Sequence, residues 1–532
     1  GATITIGTGA TFDSNKAGTR GGAISNWGGI VSVTDATFTN NSATNGGGAI
    51  HNDSYGKDDS SFTIDGSTFT GNSAAQGGAI YNNNGSVTIG NGTVFENNYS
   101  TGQNYGGGAI YSNGGSVTIE DNVQFTKNYL NQPISESTNG DYRSAGGAIA
   151  AWGSTELNIG KNVTFENNGY NSDTGKAAWA SGGAIYLDTN TTDLAKMTIG
   201  EGAVFKGNVA GSLGGAIYAS DADANISSAL FDGNKAGSWG GAMFIGQYYN
   251  LTNNKVTING STFTNNEAGN YGGALAIHND ANVAVNGSAF VGNKVLNESG
   301  LGGAIYNEGK LTFSGNNTFS DNTAAGQAND IYNAGSITVA DGTTTLGSGL
   351  TQVGGKVTVS TGATLDMASG SSLSFAEGST LTIDGGTFVA DFDQLLESYT
   401  GTNAANGITG ENIIGTSGNL NLRLDGGTYT LDQYNDAKKT LLSQGDESAA
   451  LNFLNATLDT EGKDLVVGAE VSEDKVTITM TPVVVDQGVA PEEAGQDAHI
   501  PSVPNQIVSV VAADDSAKEL LPADTITVSG SE

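Results

Sequence analysis

"GGAIYNNNGSVTIGNGTVFENNYS" (residues 77–100) is followed shortly by "GGAIYSNGGSVTIEDNVQFTKNYL" (107–130), and a near copy stands earlier as "GGAISNWGGIVSVTDATFTNNSA" (21–43). Internal repetition of this kind decides a fold before any single element does. The Phe-x-x-Asn part recurs eleven times, at Phe12, Phe38, Phe69, Phe95, Phe125, Phe165, Phe205, Phe231, Phe263, Phe290 and Phe319. Successive Phe residues are 26, 31, 26, 30, 40, 40, 26, 32, 27 and 29 apart. A floor of 26 with additions describes one fixed unit carrying loop insertions.

Each unit holds three short apolar segments. A triplet such as Val87-Thr88-Ile89 alternates as a strand with one buried face does. The Phe anchors a second strand, and Gly-Gly-Ala-Ile opens a third. Three short strands per turn is the pattern of a parallel β-helix, in which no turn buries its apolar face alone but stacked turns bury a continuous column. No stretch of the repeat shows the longer periodicity of a helix. The residue after Gly-Gly-Ala is always bulky and apolar (Ile24, Ile80, Met243 and Leu275 among them), so it points inward. The next residue is as varied as Ser25, His51 and Tyr81 and is expected to face outward.

The polar letters have corner chemistry. Glycine pairs suit sharp turns with positive φ or close backbone approach. The Asn of Phe-x-x-Asn is expected to take a left-handed corner. Asparagines on neighbouring turns, about 4.8 Å apart, can hydrogen-bond amide to amide in a ladder.

The alternation of Gly-Gly-Ala-Ile with Phe-x-x-Asn resembles the repeat of the polymorphic outer-membrane protein family over roughly residues 1–340. The resemblance implies a right-handed β-helix of the autotransporter-passenger kind, and with it surface display, adhesion and self-association. The expected departure lies toward the C-terminus, where no run of alternating strands long enough for an outer-membrane barrel is read.

Composition narrows the function. The chain has 532 residues, 81 of them Gly, no Cys, and a formal charge of −34 with only 20 basic residues. Such a charge disfavours nucleic acid and anionic membrane surfaces, which need cationic patches. Without Cys there are no disulfides, thiol catalysis or Cys-based zinc sites. No apolar run is long enough to span a membrane as a helix. The chain reads as mature, processed and exported, and an extracellular or bacterial cell-surface location is expected.

Five domains are expected. Residues 1–333 carry the repeat, and 334–390 continue the β-helix in shorter rungs. Residues 391–485 read as a small α+β cap, with helices at "TLDQYNDAKKTLLSQ" (430–444) and "AALNFLNATL" (449–458) and a hairpin in "DLVVGAEVSEDKVTITMTPVVV" (464–485). Residues 486–505 form a Pro-containing linker, and 506–532 a terminal strand segment. The opening "GATITIG" matches a triplet strand, so the chain is expected to begin inside a rung. A bare rung and a strand-bearing tail suit head-to-tail assembly into a fibre, with Ile4, Ile6, Ile507, Val510, Ile526 and Val528 as assembly strands. A tail folded back on its own body is the competing reading.

Three groups of residues are candidate sites. Insertions after Phe95, Phe125 and Phe165 stack at one corner and carry Tyr99, Tyr105, Tyr129, Tyr142, Tyr170 and Trp179, rings suited to a host or glycan ligand or to a neighbouring subunit; neutral surface variation is the competing reading. Outward aromatics Tyr81, Tyr111, Tyr186, Tyr218, Phe244, Tyr306 and Tyr332 form a partial stripe, read as stacked neighbours or, alternatively, as an interface or glycan platform. "DSYGKDDS" (53–60) and "DADAN" (221–225) hold oxygen ligands of the kind Ca²⁺ takes, but neither fits an EF-hand loop, and solvated loops are the preferred reading. No metal or other cofactor is expected. Polysaccharide-degrading enzymes also use β-helices, but they need clustered carboxylates and basic residues on one face, and here those are scattered. The expectation is a non-enzymatic structural and adhesive protein, with an autotransporter-type adhesin as the alternative.

Overall fold

The computed structural model describes residues 2–57, 60–102, 106–131, 145–171, 176–177, 180–189, 193–247, 255–278, 281–376, 378–391, 413–423, 465–471, 475–482, 506–512 and 526–528. They form two compact units, one of residues 1–312 and 316–336, the other of residues 313–315 and 337–532. Among the described residues every regular element is a strand.

The first unit is a parallel β-helix. Triplet strands such as Ser61–Asp65, Ser86–Ile89 and Ser116–Ile119 pair in parallel and in register, Ile64 beside Ile89 and Ile89 beside Ile119. The Phe strands do the same, Phe69 lying between Phe38 and Phe95. Strands beginning at the residue after Gly-Gly-Ala build a third sheet, from Ile24–Trp27 through Ile80–Asn83 to Ile305–Asn307, and Ile331–Asn333, which follows Asn329-Asp330 instead, continues it. Loop insertions leave this register intact because equivalent residues, not equal spacings, pair.

The core is built of stacked columns: those of the triplet strands, such as Val87 and Ile89, and one each from the Phe strands and the third sheet. The eleven Phe rings lie face to face, with centroids 4.6–4.9 Å apart and planes within 10°. Aromatic pairs ordinarily prefer an offset or edge-on arrangement. Here the strand spacing of about 4.8 Å fixes the separation. From Phe38 to Phe290 these rings are fully buried, each contributing on the order of 2–3 kcal/mol. Ile50, Ile80, Ile110, Ile149 and their successors form the column of the third sheet, also fully buried.

Beside the Phe column runs the asparagine ladder. Asn72 is typical: its Nδ2 donates to Asn98 Oδ1 at 2.9 Å and to the Phe38 carbonyl at 2.9 Å, and its backbone N–H donates to the same Asn98 Oδ1 at 3.0 Å. The pattern starts at Asn15 and repeats through Asn41, Asn98, Asn128, Asn168, Asn208, Asn234, Asn266 and Asn293 to Asn322. Asn322 passes its own Nδ2 to the Asp330 carboxylate at 2.8 Å, which ends the ladder.

One corner expectation is corrected. The left-handed residue is not the ladder Asn but the one before it. Positive φ occurs at Ser14, Asn40, Gly71, Asn97, Lys127, Asn167, Gly207, Gly233, Asn265, Gly292 and Asp321, in every repeat. The turn there swings the following Asn inward, where the side chain can serve three bonds while its own backbone stays relaxed. Both glycines of the pair are needed: Gly77 has φ +62° and a Cβ there would meet the Ile80 carbonyl oxygen, while a Cβ on Gly78 would collide with the carbonyl oxygen of Gly108 on the next turn.

In the second unit the rungs shorten. Gly342 pairs with Ala363, Gly349 with Ser372 and Lys356 with Thr380, which are 21, 23 and 24 residues on. Its core includes Val357, Leu365, Phe375, Ile383 and Phe388. Thr380–Asp391 pairs in parallel with Ile413–Arg423, which turns the sheet antiparallel by pairing with Lys475–Pro482. The hairpin is present as Leu465–Val471 against Lys475–Pro482. The two expected helices, 430–444 and 449–458, lie outside the described residues.

Candidate functional site

The outer stripe departs from its expected exposure. Tyr81, Tyr111, Tyr186, Tyr218, Phe244 and Tyr306 point away from the coil interior yet are 1–7% exposed, and Tyr332 is half-buried. The reason lies in the glycine corner. The residue before each pair is laid back over this face, so that Arg20, Gly46 and Gln76 form one bridged row and Leu213, Trp239, Tyr271 and Leu301 another. Leu213 and Trp239 pack into the same apolar cluster as the stripe, and the Arg20 guanidinium sits 5.4 Å over the Tyr81 ring. The rings stack in parallel, Tyr186 on Tyr218 at 4.7 Å and Tyr218 on Phe244 at 5.2 Å. The stripe is thus a second, outer core.

Small residues interrupt it, and tryptophans stand at the interruptions. Trp27 donates Nε1–H to Ser25 Oγ at 2.8 Å, while Trp152 and Trp239 pack against the cluster that holds Ala150 and Ala276. His51 belongs to the same row, fully buried between Ser25, Trp27 and Tyr81. Burial, then the Arg20 charge, lowers its pKa to about 4 against the opposing pull of Asp53, so the ring is neutral at physiological pH.

Of the loop aromatics, Tyr99 and Tyr129 are brought together, half-buried and stacked at 5.2 Å on adjacent turns. Tyr170 lies in a short antiparallel pair with its backbone opposite Ala177. Tyr105, Tyr142 and Trp179 lie outside the described residues. Ile4 and Ile6 sit in Thr3–Ile6, which pairs with Ile30–Thr34. The tail strand Gln506–Ala512, with Ile507 and Val510, pairs within its own chain, in parallel with Leu465–Val471 and antiparallel to Ile526–Val528. Of the acidic segments, Asp221 is fully buried and Asp223 Oδ1 accepts the Lys255 N–H at 2.8 Å. Among the described residues no three metal-ligating side chains converge.

Two arrangements escaped the sequence. Asp188 is buried, accepting the Tyr186 hydroxyl at 2.6 Å and the Thr189 N–H at 2.8 Å. Its pKa is raised to about 7, chiefly by burial, with Asp221 adding to the rise and the two hydrogen bonds opposing it. On the third sheet, Glu308 joins the Tyr306 hydroxyl at 2.6 Å and His278 Nδ1 at 2.5 Å, amid Trp239 and Tyr271. Burial and the Glu308 carboxylate raise the Tyr306 pKa. The available signal was register: His278 follows the inward Leu275, and Glu308 the inward Ile305, by three residues in successive repeats.

No curated protein and no solved structure matches the chain. The family model of the Chlamydia polymorphic membrane protein repeat matches residues 35–53, 66–83 and 202–220. Each matched segment runs from the Phe-x-x-Asn corner through the glycine pair into the strand that follows, so in these three turns the chain is similar to the polymorphic membrane protein repeat.

Proposed function

We propose that the chain is an exported, non-enzymatic β-helix displayed at a bacterial cell surface, where it self-associates as a structural and adhesive component. The observation that carries this reading is the unbroken run of stacked Phe and laddered Asn from Phe12 to Asn322, repeat letters spent on holding form. The repeat type supports surface display, and strong negative charge with scarce Lys suits a solvated outer surface. No helix among the described residues is long and apolar enough to cross a membrane. Because Gln506–Ala512 already pairs with Leu465–Val471, assembly through the tail requires that strand to exchange between copies.

The test has two arms. Protease added to intact producing cells should cleave the protein while a cytoplasmic marker survives; protection would remove the surface reading. Sedimentation and negative-stain microscopy of the full chain should show oligomers that are lost on deleting residues 506–532. Oligomers that persist would exclude the tail, and a monomer at all concentrations would exclude self-association. A second reading, a ligand-binding adhesin, is favoured by the stacked, half-buried Tyr99 and Tyr129, on the strands that precede the long insertions in sequence.

A further inference from the structure

The parallel stack of the outer stripe breaks at Ala276, between Phe244 and Tyr306. There the rings turn edge-on. Trp239 meets Tyr271 at 4.4 Å and 63°, His278 at 4.9 Å and 72°, and Tyr306 at 5.3 Å and 79°. Packing alone would be met by another tyrosine, as Tyr186 and Tyr218 meet it elsewhere. Instead a carboxylate stands among the rings, oriented by a phenol and an imidazole. Setting a carboxylate beside aromatic faces is unfavourable unless its oxygens are used, and two partners take up only part of its accepting capacity. The group remains reachable: the His278 and Glu308 side chains are 24% and 31% exposed, and Trp239, Tyr271 and Tyr332 are half-buried.

We propose that Trp239, Tyr271, His278 and Glu308 form a subsite for a neutral sugar ring, which lies against the indole and phenol while the carboxylate and imidazole hydrogen-bond its hydroxyls. A pyranose offers what this surface lacks, an apolar C–H face with hydroxyls at its edge. The rings touch edge to face, so they leave no cage between them for an ammonium group. Glu308 and the net charge of −34 oppose sialylated, sulfated or uronate glycans. The subsite lies outside the long insertions and does not depend on self-association.

Titration calorimetry of the full chain with cellotetraose, mannotetraose and chitotetraose, and with trigalacturonate and choline as comparators, tests this. At least one neutral tetrasaccharide should bind with a Kd on the order of 0.1–1 mM. Glu308→Gln should weaken that binding about 10-fold with an unchanged circular-dichroism spectrum, and Trp239→Phe, which keeps a ring in place, about 5-fold. Tyr55→Ala, at an exposed ring elsewhere, should leave it unchanged. The proposal is overturned if no neutral sugar binds, if trigalacturonate or choline binds more tightly, or if neither Glu308→Gln nor Trp239→Phe weakens binding. Self-association is read separately, by sedimentation without sugar.

Discussion

The residue before each ladder asparagine shows how much backbone conformation governs this sequence. Four of these eleven positions are Gly, four are Asn, and Ser14, Lys127 and Asp321 supply the rest. An L-residue in the left-handed region bears about 1–2 kcal/mol of strain, less for Asn, and Gly, without a Cβ, escapes it. Lys127 has φ +54° with no side-chain reason to be there, so Lys127→Gly should stabilise the protein by about 1 kcal/mol, read as a higher midpoint in urea. The glycine pair gives the opposite contrast. Gly78→Ala drives a methyl into the Gly108 carbonyl and should cost several kcal/mol or block the fold, whereas Gly92→Ala meets open space and should cost only about 1–2 kcal/mol for its φ of +74°. Comparable losses in the two variants would show that the turns are spaced more loosely than described.

At the scale of the element, the outer stripe behaves as core. Tyr218→Ala should destabilise about as much as Phe231→Ala, roughly 3–5 kcal/mol each; a loss under 1 kcal/mol for Tyr218 would mean that the face is open. Asp188 adds a pH dependence. Its pKa is raised to about 7 in the fold against about 4 unfolded, so between those values the folded chain holds a proton that the unfolded chain has released. Stability from this group is fully present below pH 4 and lost as pH rises through 7. The melting temperature of the parent should therefore fall relative to Asp188→Asn from pH 4 to 7, and the gap should then level off. Parallel melting curves across that range would show that Asp188 is ionised throughout. The two elements also mark what the sequence made legible. Strand positions, the inward Phe and Ile and the amide ladder all follow from period and parity, which act along one chain. The burial of Tyr218 and the site around Glu308 do not, because both depend on the corner laying Leu213, Trp239 and Tyr271 back over the sheet. The left-handed residue was legible in kind, as recurring Asn and Gly two residues after Phe, but its place was taken for that of its neighbour.

At the scale of the whole molecule, charge sets the terms of association. With a net charge of −34, like copies repel over the Debye length, about 30 Å at 0.01 M salt and about 8 Å at 0.15 M. Any self-association should strengthen as salt rises from 0.01 to 0.5 M, as light scattering would record; weakening with salt would point instead to an interface built from ion pairs. The ladder has a further consequence. Each Asn gives its Nδ2–H to the turn ahead and offers its Oδ1 to the turn behind, from Asn15 to Asn322. The side-chain amides therefore add head to tail into one dipole along the first unit, much as peptide units add in an α-helix. Hydrogen bonds in such a chain polarise one another. Its positive end falls at the Asn322 amide, and there the sequence places the Asp330 carboxylate in contact with it. The repeat thus has an electrical direction as well as a chain direction, and the Asp330 carboxyl that closes it places an accepting oxygen at the positive end.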